Sequence, residues 1–484
     1  QEKAPPPQPP KTEEKASTFS SSNNSMDRET MDAMRGAGVS NDQLQQVKQL
    51  REVSDMALDE EAVLRLIAVA VLPNRGLVLG DEEEDFKDDS LPVLSKAREA
   101  VDCDEFAIKE TIAFDRCYVF QGSIPSTVEP SKAIESVDRR LKSSGAPGAK
   151  DVQLFLQPTK DEAKTMLIML LNSDLPNQEI PWWQWFFFGL LFITTFLAAN
   201  STSFSVVPIT AQMMANPTED IDAVMNIVYK CLPTAGGILA TVAAQESARR
   251  AVASNYGVEL SPPFLLPAWP FPSVGCLGAV TRRLTPAPNR EAEFAMSLSA
   301  AVAGYVVSFG LIAAGLAAGP ETDPVVNLNY QLLPVFLRVL IKPLLGAASV
   351  TNQPDPFMDP IIIAYPANPL LIGGIVGLII VSLSLLPIGR LDGGVLARTC
   401  VGSRAAGPLG LLGFVLLILG SFSPDDAGTL YLTFGLTTLI WQNGSEMPPR
   451  DGVKEISDGQ KALGGVLLAV GFILSIPGWA FPTV

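Results

Sequence analysis

The feature that most constrains this chain is a series of long apolar segments that fills the sequence beyond about residue 180. Most of them approach the roughly 20 residues that an α-helix needs to cross a bilayer. Trp182-Trp183 precedes the first, as is typical of an interfacial aromatic belt. We therefore predict an α-helical polytopic membrane protein of about seven transmembrane helices, surrounded by a lipid bilayer. The segments are 185–199, 232–252, 294–318, 368–388, 405–423, 427–442 and 462–480.

The placement of lysine and arginine predicts how these segments are oriented. With seven spans, eleven basic residues lie on the side of the N-terminal region, and only Lys230, Arg338 and Lys342 lie on the other. The positive-inside rule expects such an asymmetry. Counting Tyr330–Ala348 as a span would destroy it, so we predict that this stretch re-enters or lies on the membrane. The eleven are Arg249, Arg250, Arg282, Arg283, Arg290, Arg390, Arg398, Arg404, Arg450, Lys454 and Lys461.

The first 180 residues have a different composition, with 33 acidic and 21 basic side chains against 18 and 14 in the remainder. An acidic balance argues against nucleic-acid binding, which needs a basic face. Composition divides the chain into a disordered tail (1–40), a helical and acidic linker region (41–94), a small soluble α+β domain (95–178) and the transmembrane domain (180–484).

Local patterns predict the elements of the N-terminal region. Apolar spacing from Asn41 to Ala70 indicates a helix, and the charged run 131–143 indicates another. Short apolar or alternating runs at 117–120, 152–156 and 164–171 are typical of strands or further buried segments. The five cysteines are scattered without C-x-x-C spacing, which favours reduced thiols over a zinc ribbon or a disulfide framework.

Two short motifs stand at the ends of apolar segments: Gln245-Glu246-Ser247-Ala248-Arg249 and Leu391-Asp392-Gly393-Gly394. With histidine at positions 245 and 249, the first would read H-E-x-x-H. In that motif two imidazoles bind zinc from one helix face, and the glutamate is the general base. Here the glutamate is present, but the 484 residues contain no histidine.

This arrangement resembles the site-2 protease family of intramembrane metalloproteases. Within it, the chain resembles the chloroplast branch of ethylene-dependent gravitropism-deficient and yellow-green-like proteins. In that family the H-E-x-x-H helix meets N-x-x-P-x-x-x-L-D-G on a later helix, whose aspartate is the third zinc ligand. The chain carries the second pattern with Ser384 in the asparagine place. The stretches that also follow the wording of the branch are Asn255-Tyr256-Gly257-Val258, Pro263-Phe264-Leu265-Leu266-Pro267, the run 275–281 and Asn289-Arg290.

The resemblance implies a site-2 protease-like core, a place in a chloroplast membrane, which we expect to be the thylakoid, and an N-terminal domain that faces the stroma. It also implies a removed transit peptide, which fits a chain that begins with Gln1. The family activity is that of a zinc metalloendopeptidase. Because Gln245 and Arg249 occupy both imidazole places, we expect zinc to be absent. We also expect no catalytic function at the degenerate motif positions, which are Gln245, Glu246, Arg249, Ser384 and Asp392.

The charged motif residues allow several interpretations. For Glu246 there are three interpretations. It forms an ion pair with Arg249 or Arg250 at a helix end, it is a general base retained from the motif, or its carboxylate binds a ligand. Asp392 is held locally by backbone N–H groups, or it forms an ion pair with Arg249, with Glu246 one turn away. A metal site built from Cys276, Asp392 and Glu246 is the least favoured arrangement, since it lacks the usual ligand set.

A proline-rich apolar loop between the motifs is a candidate surface for a partner or client. Its counterpart in the family lies beside the active site. The residues that we assign to this loop are Pro263, Phe264, Pro267, Trp269, Gly275 and Gly278.

We therefore expect a pseudoenzyme of the chloroplast membrane. It would bind membrane-protein clients without cutting them, or act as a subunit or assembly partner of a thylakoid complex. One alternative is an active site-2-type metalloprotease involved in chloroplast development. The other is a transporter or channel, which would need several ionisable residues inside its spans.

Overall fold

The computed structural model describes residues 41–59, 91–172 without 115–116 and 162–163, 221–267, 276–319, 368–442 without 424, and 447–477. It also describes Gly189 and short pieces within 63–67, 327–339 and 351–366. The predicted tail, Trp182-Trp183, the segment 185–199 apart from Gly189, and most of 330–348 lie outside these residues.

The chain divides into two compact units, Gln1–Met56 and Ala57–Val484. Helix α1 (Asn41–Met56) is the described part of the first unit. The prediction that this helix continues to Ala70 was wrong. In the second unit, Ala57 forms a β-bridge with Thr159, and Leu58 N–H donates to the Pro158 carbonyl at 3.2 Å. The chain therefore leaves the helix at Ala57, where its backbone is hydrogen-bonded to the end of strand 152–158.

A four-stranded antiparallel sheet forms the first part of the second unit. Its strands are β1 (Ala107–Ala113), β2 (Cys117–Ser123), β3 (Val152–Pro158) and β4 (Thr165–Leu171), in the order β1-β2-β4-β3. Helices α2 (Leu94–Val101) and α3 (Pro130–Ser143) contribute to the same core. The central strand β4 is buried along nearly its whole length. The core includes Phe106, Phe120, Leu141, Leu154 and Leu167.

Three helices form the centre of the remaining chain: α4 (Ile221–Asn255), α5 (Arg290–Ala318) and α6 (Pro369–Ser384). Every residue of α6 from Leu371 to Leu383 is buried. Close approach depends on glycine, since a Cβ on Gly373 would lie 2.9 Å from the Thr234 carbonyl oxygen of α4. A Cβ on Gly377 would lie 2.6 Å from Thr241 Oγ1 of α4 and 2.9 Å from Ser308 Oγ of α5.

The C-terminal helices are α7 (Asp392–Val401), α8 (Ser403–Ser421), α9 (Asp425–Trp441) and α10 (Asp458–Leu474). Helix α8 packs against α7 and α9, whereas α10 packs against α6 and α7. The outer face of α8 is apolar, with Leu411, Val415 and Ile418 exposed. Such a face is expected where lipid replaces water as the surroundings.

By length and hydropathy, α5 and α8 are long and apolar enough to cross a membrane, whereas α6 and the apolar part of α9, Gly428–Ile440, are shorter. The structure thus contains two candidate membrane spans among its described residues. The predicted number of seven goes beyond this finding.

Short strands complete the described fold. Strand β5 (Phe264–Pro267) pairs with β6 (Cys276–Val280), where the sequence indicated only a loop. Strands β7 (Asn327–Asn329), β8 (Thr351–Gln353) and β9 (Ile362–Pro366) form a sheet in the order β7-β9-β8.

A short piece of backbone, which we call the linking segment (Pro449–Gly452), joins the four-stranded sheet to the start of α5. Leu156 N–H on edge strand β3 donates to the Arg450 carbonyl at 2.7 Å, and Gly452 N–H donates back to the Leu156 carbonyl at 2.8 Å. On its other side, Arg450 N–H donates to the Ala287 carbonyl at 2.8 Å. The segment therefore pairs with an edge that would otherwise be open.

Candidate functional site

The candidate site lies where the end of α4 meets the beginning of α7. The turn before α7 is tight, with Gly389 at a φ of 47°. A Cβ on Gly393 would lie 1.9 Å from the Leu385 carbonyl oxygen, so only glycine fits there. This close packing starts α7 directly after the turn and leaves Asp392 in its first turn, 6% exposed. A carboxylate at this position is stabilised by the positive end of the helix dipole.

An ion pair joins the two motifs. Arg249 Nη2 donates to Asp392 Oδ2 at 2.8 Å, and the two side chains are 17% and 6% exposed. Arg249 Nε also lies 3.6 Å from Glu246 Oε1, one turn back on α4. Glu246 Oε2 accepts a hydrogen bond from Thr281 Oγ1. The structure thus brings together the three charged residues that the sequence singled out and adds a hydroxyl donor.

The other two motif positions border a cavity that opens to solvent, with an empty space of about 450 Å³ that includes solvent at its mouth. Gln245 is buried, and its Cγ would lie 2.7 Å from a Cβ placed on Gly304 of α5. Ser384 Oγ donates to the Val381 carbonyl at 2.7 Å, within its own helix. Strand β6 and helix α9 form the other walls, through Gly278 and Thr438 among others.

The side chains at this site do not fit a catalytic zinc ion. Such an ion needs three protein ligands with lone pairs, and a guanidinium carries a permanent positive charge without one. Here the guanidinium of Arg249 occupies one ligand place and already binds the carboxylate of Asp392. Among the described residues, no group of three or more His, Cys, Asp or Glu side chains is arranged to hold a metal.

Cys276 does not supply a readily available thiolate. Its thiol donates to the Gly278 carbonyl at 3.5 Å, and burial raises the pKa of the thiol to about 12. A metal ligand must be the thiolate, which is scarce at neutral pH when the pKa is so high. Cys276 therefore does not replace a missing imidazole as a metal ligand.

The structure describes only part of the proline-rich loop that we predicted to bind a partner or client. Pro263 is exposed before β5, whereas Phe264 is 4% exposed and packs into the core. Pro267 ends β5, and Gly278 in β6 has a φ of 107°. Trp269 and Gly275 lie outside the described residues.

Sequence reasoning missed two polar partners of the site. Thr281 lies 35 positions from Glu246, so no helical spacing connects them. A second buried ion pair joins Arg283 Nη1 to Glu293 Oε1 at 2.5 Å, and Arg283 Nη2 donates to the Met447 carbonyl at 3.2 Å. The run 275–281 contributes to the family resemblance, but the resemblance does not indicate that Thr281 donates to Glu246.

Comparison with known proteins found relatives among chloroplast proteins. The chain is 26% identical over 411 residues to the probable zinc metallopeptidase EGY3, chloroplastic, of Arabidopsis thaliana. This alignment covers 81% of the present chain and 66% of the relative. It is 27% identical over 403 residues to the probable zinc metalloprotease EGY3, chloroplastic, of Oryza sativa subsp. indica. That alignment covers 79% of the present chain and 64% of the relative. The probable zinc metalloprotease EGY1, chloroplastic, of Arabidopsis thaliana is 28% identical over 260 residues, or 54% of this chain and 45% of the relative.

The chain spans about two thirds of the length of the EGY3 relatives. No family model and no solved structure matches it. The names of the relatives support a chloroplast protein and a site-2 protease-like membrane protein. Because identities of 23–28% extend over most of the chain for several relatives, the comparisons support the EGY-like site-2 protease family as the family of this chain, as the two motifs predicted.

Proposed function

We propose that this chain is a zinc-less member of that family, which binds membrane proteins without cutting them. The bound proteins would be clients or subunits of a thylakoid complex. The observation that carries this proposal is the contact of Arg249 with Asp392 at 2.8 Å. A positive charge lies where the family pattern places an imidazole ligand, and it binds the carboxylate that would be the third ligand.

The ion pair performs the structural part of the role of a metal. It ties the end of α4 to the start of α7 with a charge-assisted hydrogen bond, which is stronger than a bond between neutral groups. The cation also compensates two carboxylates, Asp392 and Glu246, in a largely buried place. The scaffold thereby keeps two helices together without a metal.

The cavity beside Gln245 offers a place for a segment of another protein. Its walls combine apolar side chains such as Ile380 and Phe434 with the polar Thr438 and Ser384. Binding pockets typically combine an apolar lining with a few polar groups that fix orientation. Since no metal-activated water is available in this proposal, a bound segment is held and released intact.

Binding is tested by narrowing the cavity. Ser384→Phe places a large side chain on its wall, and Ser299→Phe is the matched control on α5. Both serines are partly buried and donate to the carbonyl three residues earlier, and Ser299 does so to Met296 at 2.9 Å. We expect cross-linking in intact chloroplast membranes, read by mass spectrometry, to lose defined partners in Ser384→Phe only. Equal yields in both variants, or cleaved partners with the wild type, would contradict the proposal.

The names of the relatives favour one other function, that of an active zinc metalloprotease. It requires a ligand set other than the motif positions. Cleavage of a co-purified membrane protein by the purified chain, abolished by a chelator, would establish it.

We also propose seven spans, with the N-terminal domain and both motif ends on the stromal side. The eleven-to-three distribution of basic residues supports this orientation. Added protease should digest the N-terminal domain in intact thylakoids. Resistance until the membrane is broken would mean the opposite orientation.

A further inference from the structure

A second cavity, separate from the one beside Gln245, is lined by three arginines: Arg283, Arg290 and Arg398. It opens to solvent, and its empty space, including solvent at the mouth, is about 470 Å³. Two acidic residues, Asp59 and Glu293, also line it. We call it the arginine cavity.

The charges of the arginine cavity do not balance. Arg283 is paired with Glu293, so these two cancel. Asp59 Oδ2 accepts from Ser403 Oγ at 2.6 Å, and its carboxylate adds one negative charge to the lining. Arg290 and Arg398 are both partly buried, and within the described part of the chain neither guanidinium has a hydrogen bond or an ion pair. Arg290 lies within electrostatic range of Glu455, but that carboxylate is paired with Lys461. The cavity therefore has a surplus of about one positive charge and two available guanidinium groups.

The position of the arginine cavity indicates the depth at which its ligand lies. Arg290 is the first residue of α5 and Ser403 the first of α8, the two helices long and apolar enough to span a bilayer. The ends of such helices lie at the interface, where lipid headgroups are found. The positive ends of both helix dipoles also point towards this end. Basic pockets between helices at this level suit anionic headgroups.

We propose that the arginine cavity binds a singly charged phosphate group, carried by the headgroup of an anionic phospholipid. One negative charge matches the surplus, and a guanidinium binds a phosphate through two parallel hydrogen bonds. The same chemistry is offered by a soluble phosphate, which the test distinguishes. This inference rests on the membrane placement in the proposed function, but not on the absence of zinc or on client binding.

The test uses the full chain, purified in a neutral detergent and placed in phosphatidylcholine nanodiscs that contain increasing phosphatidylglycerol. Bound lipid is counted by native mass spectrometry. The variants Arg398→Gln and Arg290→Gln each remove one guanidinium. Losing a hydrogen bond to a charged group weakens binding by about tenfold or more, so we expect at least that decrease for each variant. Arg404→Gln is the control, since Arg404 is exposed in the first turn of α8 and does not line the cavity.

The outcomes separate the possibilities. Retained phosphatidylglycerol that depends on Arg398 and Arg290, but not on Arg404, supports the site. Equal losses in all three variants would mean diffuse attraction and overturn it, as would binding that neither cavity variant changes. If one variant fails to fold, the other still decides. A parallel titration with inorganic phosphate, with the same arginine dependence and no lipid retained, would overturn the headgroup in favour of a soluble phosphate. Failure of the wild type to enter nanodiscs would instead contradict the membrane placement in the proposed function.

Discussion

Two ion pairs in this molecule have similar distances but very different surroundings. Arg249 and Asp392 are 2.8 Å apart, with side chains 17% and 6% exposed. Lys454 and Glu129 are 2.6 Å apart, with side chains 43% and 41% exposed. Each pair connects parts of the chain that are far apart in sequence. The difference teaches that burial, and not distance, decides how much each contact matters.

The physical reason lies in solvent. An exposed pair gains little, because water already stabilises both charges and salt screens them. In a buried pair the attraction replaces water that both charges have lost, so removal of one partner leaves the other charge without compensation. We therefore expect the two regions to respond very differently to the same kind of substitution.

The largest effect is expected for Arg249→Ala. It removes the cation between two buried carboxylates, and loss of one partner of a buried pair costs about 3–5 kcal/mol of the free energy of unfolding. Asp392→Ala should cost less, because Arg249 keeps Glu246 at 3.6 Å. The double variant should lose much less than the sum of both. Thermal or denaturant unfolding in detergent measures all three, with the exposed Arg404→Ala as control. Small and additive losses would show that the pair is not coupled.

An intermediate effect is expected at the linking segment. Asp451 is 1% exposed, and its carboxylate accepts from Ser131 Oγ at 2.7 Å and from the N–H groups of Val453 and Lys454 at 3.0 and 3.1 Å. Asp451→Ala leaves these donors without their acceptor, which costs about 1–3 kcal/mol. Asp458→Ala is the control, since that side chain is fully exposed. Equal midpoints of thermal unfolding for both variants would refute the importance of Asp451.

The smallest effect is expected for Lys454→Gln. Its hydrogen bond to Glu129 lowers the pKa of that carboxyl below its ordinary value of 4.5. The contribution is therefore present above about pH 4.5 and is lost as the pH falls through the lowered pKa of the folded state. The midpoint difference between wild type and variant should be small at neutral pH and should vanish in acid. A large difference at neutral pH, or one that grows in acid, would break the comparison.

The sequence predicted some elements because their patterns are local. The helix expected at 131–143 is Pro130–Ser143, and the segments at 294–318 and 405–423 correspond to α5 and α8. Strand β1 was missed because Lys109 and Glu110 interrupt its apolar alternation, as an edge strand permits. Helix α4 is longer than the apolar segment predicted at 232–252, because the helix begins at Ile221 and Pro233 does not interrupt it.

At the site, the contact between Arg249 and Asp392 followed from the two motifs, because their family pattern places both residues at one ligand centre. Thr281 and Glu293 could not be found in this way. Their partners, Glu246 and Arg283, are reached only through the folding of the loop before α5. Hydrogen bonds between residues so far apart in the chain produce no periodic pattern that a sequence could show.

The zinc content of the purified full chain, prepared without chelators, tests the central claim most directly. Because Arg249 occupies a ligand place and binds Asp392, we predict no stoichiometric zinc and no change in the midpoint of thermal unfolding on addition of a chelator. The double variant Gln245→His and Arg249→His, which restores both imidazoles beside Glu246 and Asp392, should take up zinc under the same conditions. One zinc ion per wild-type chain, removed by the chelator with a lower midpoint, would contradict the account.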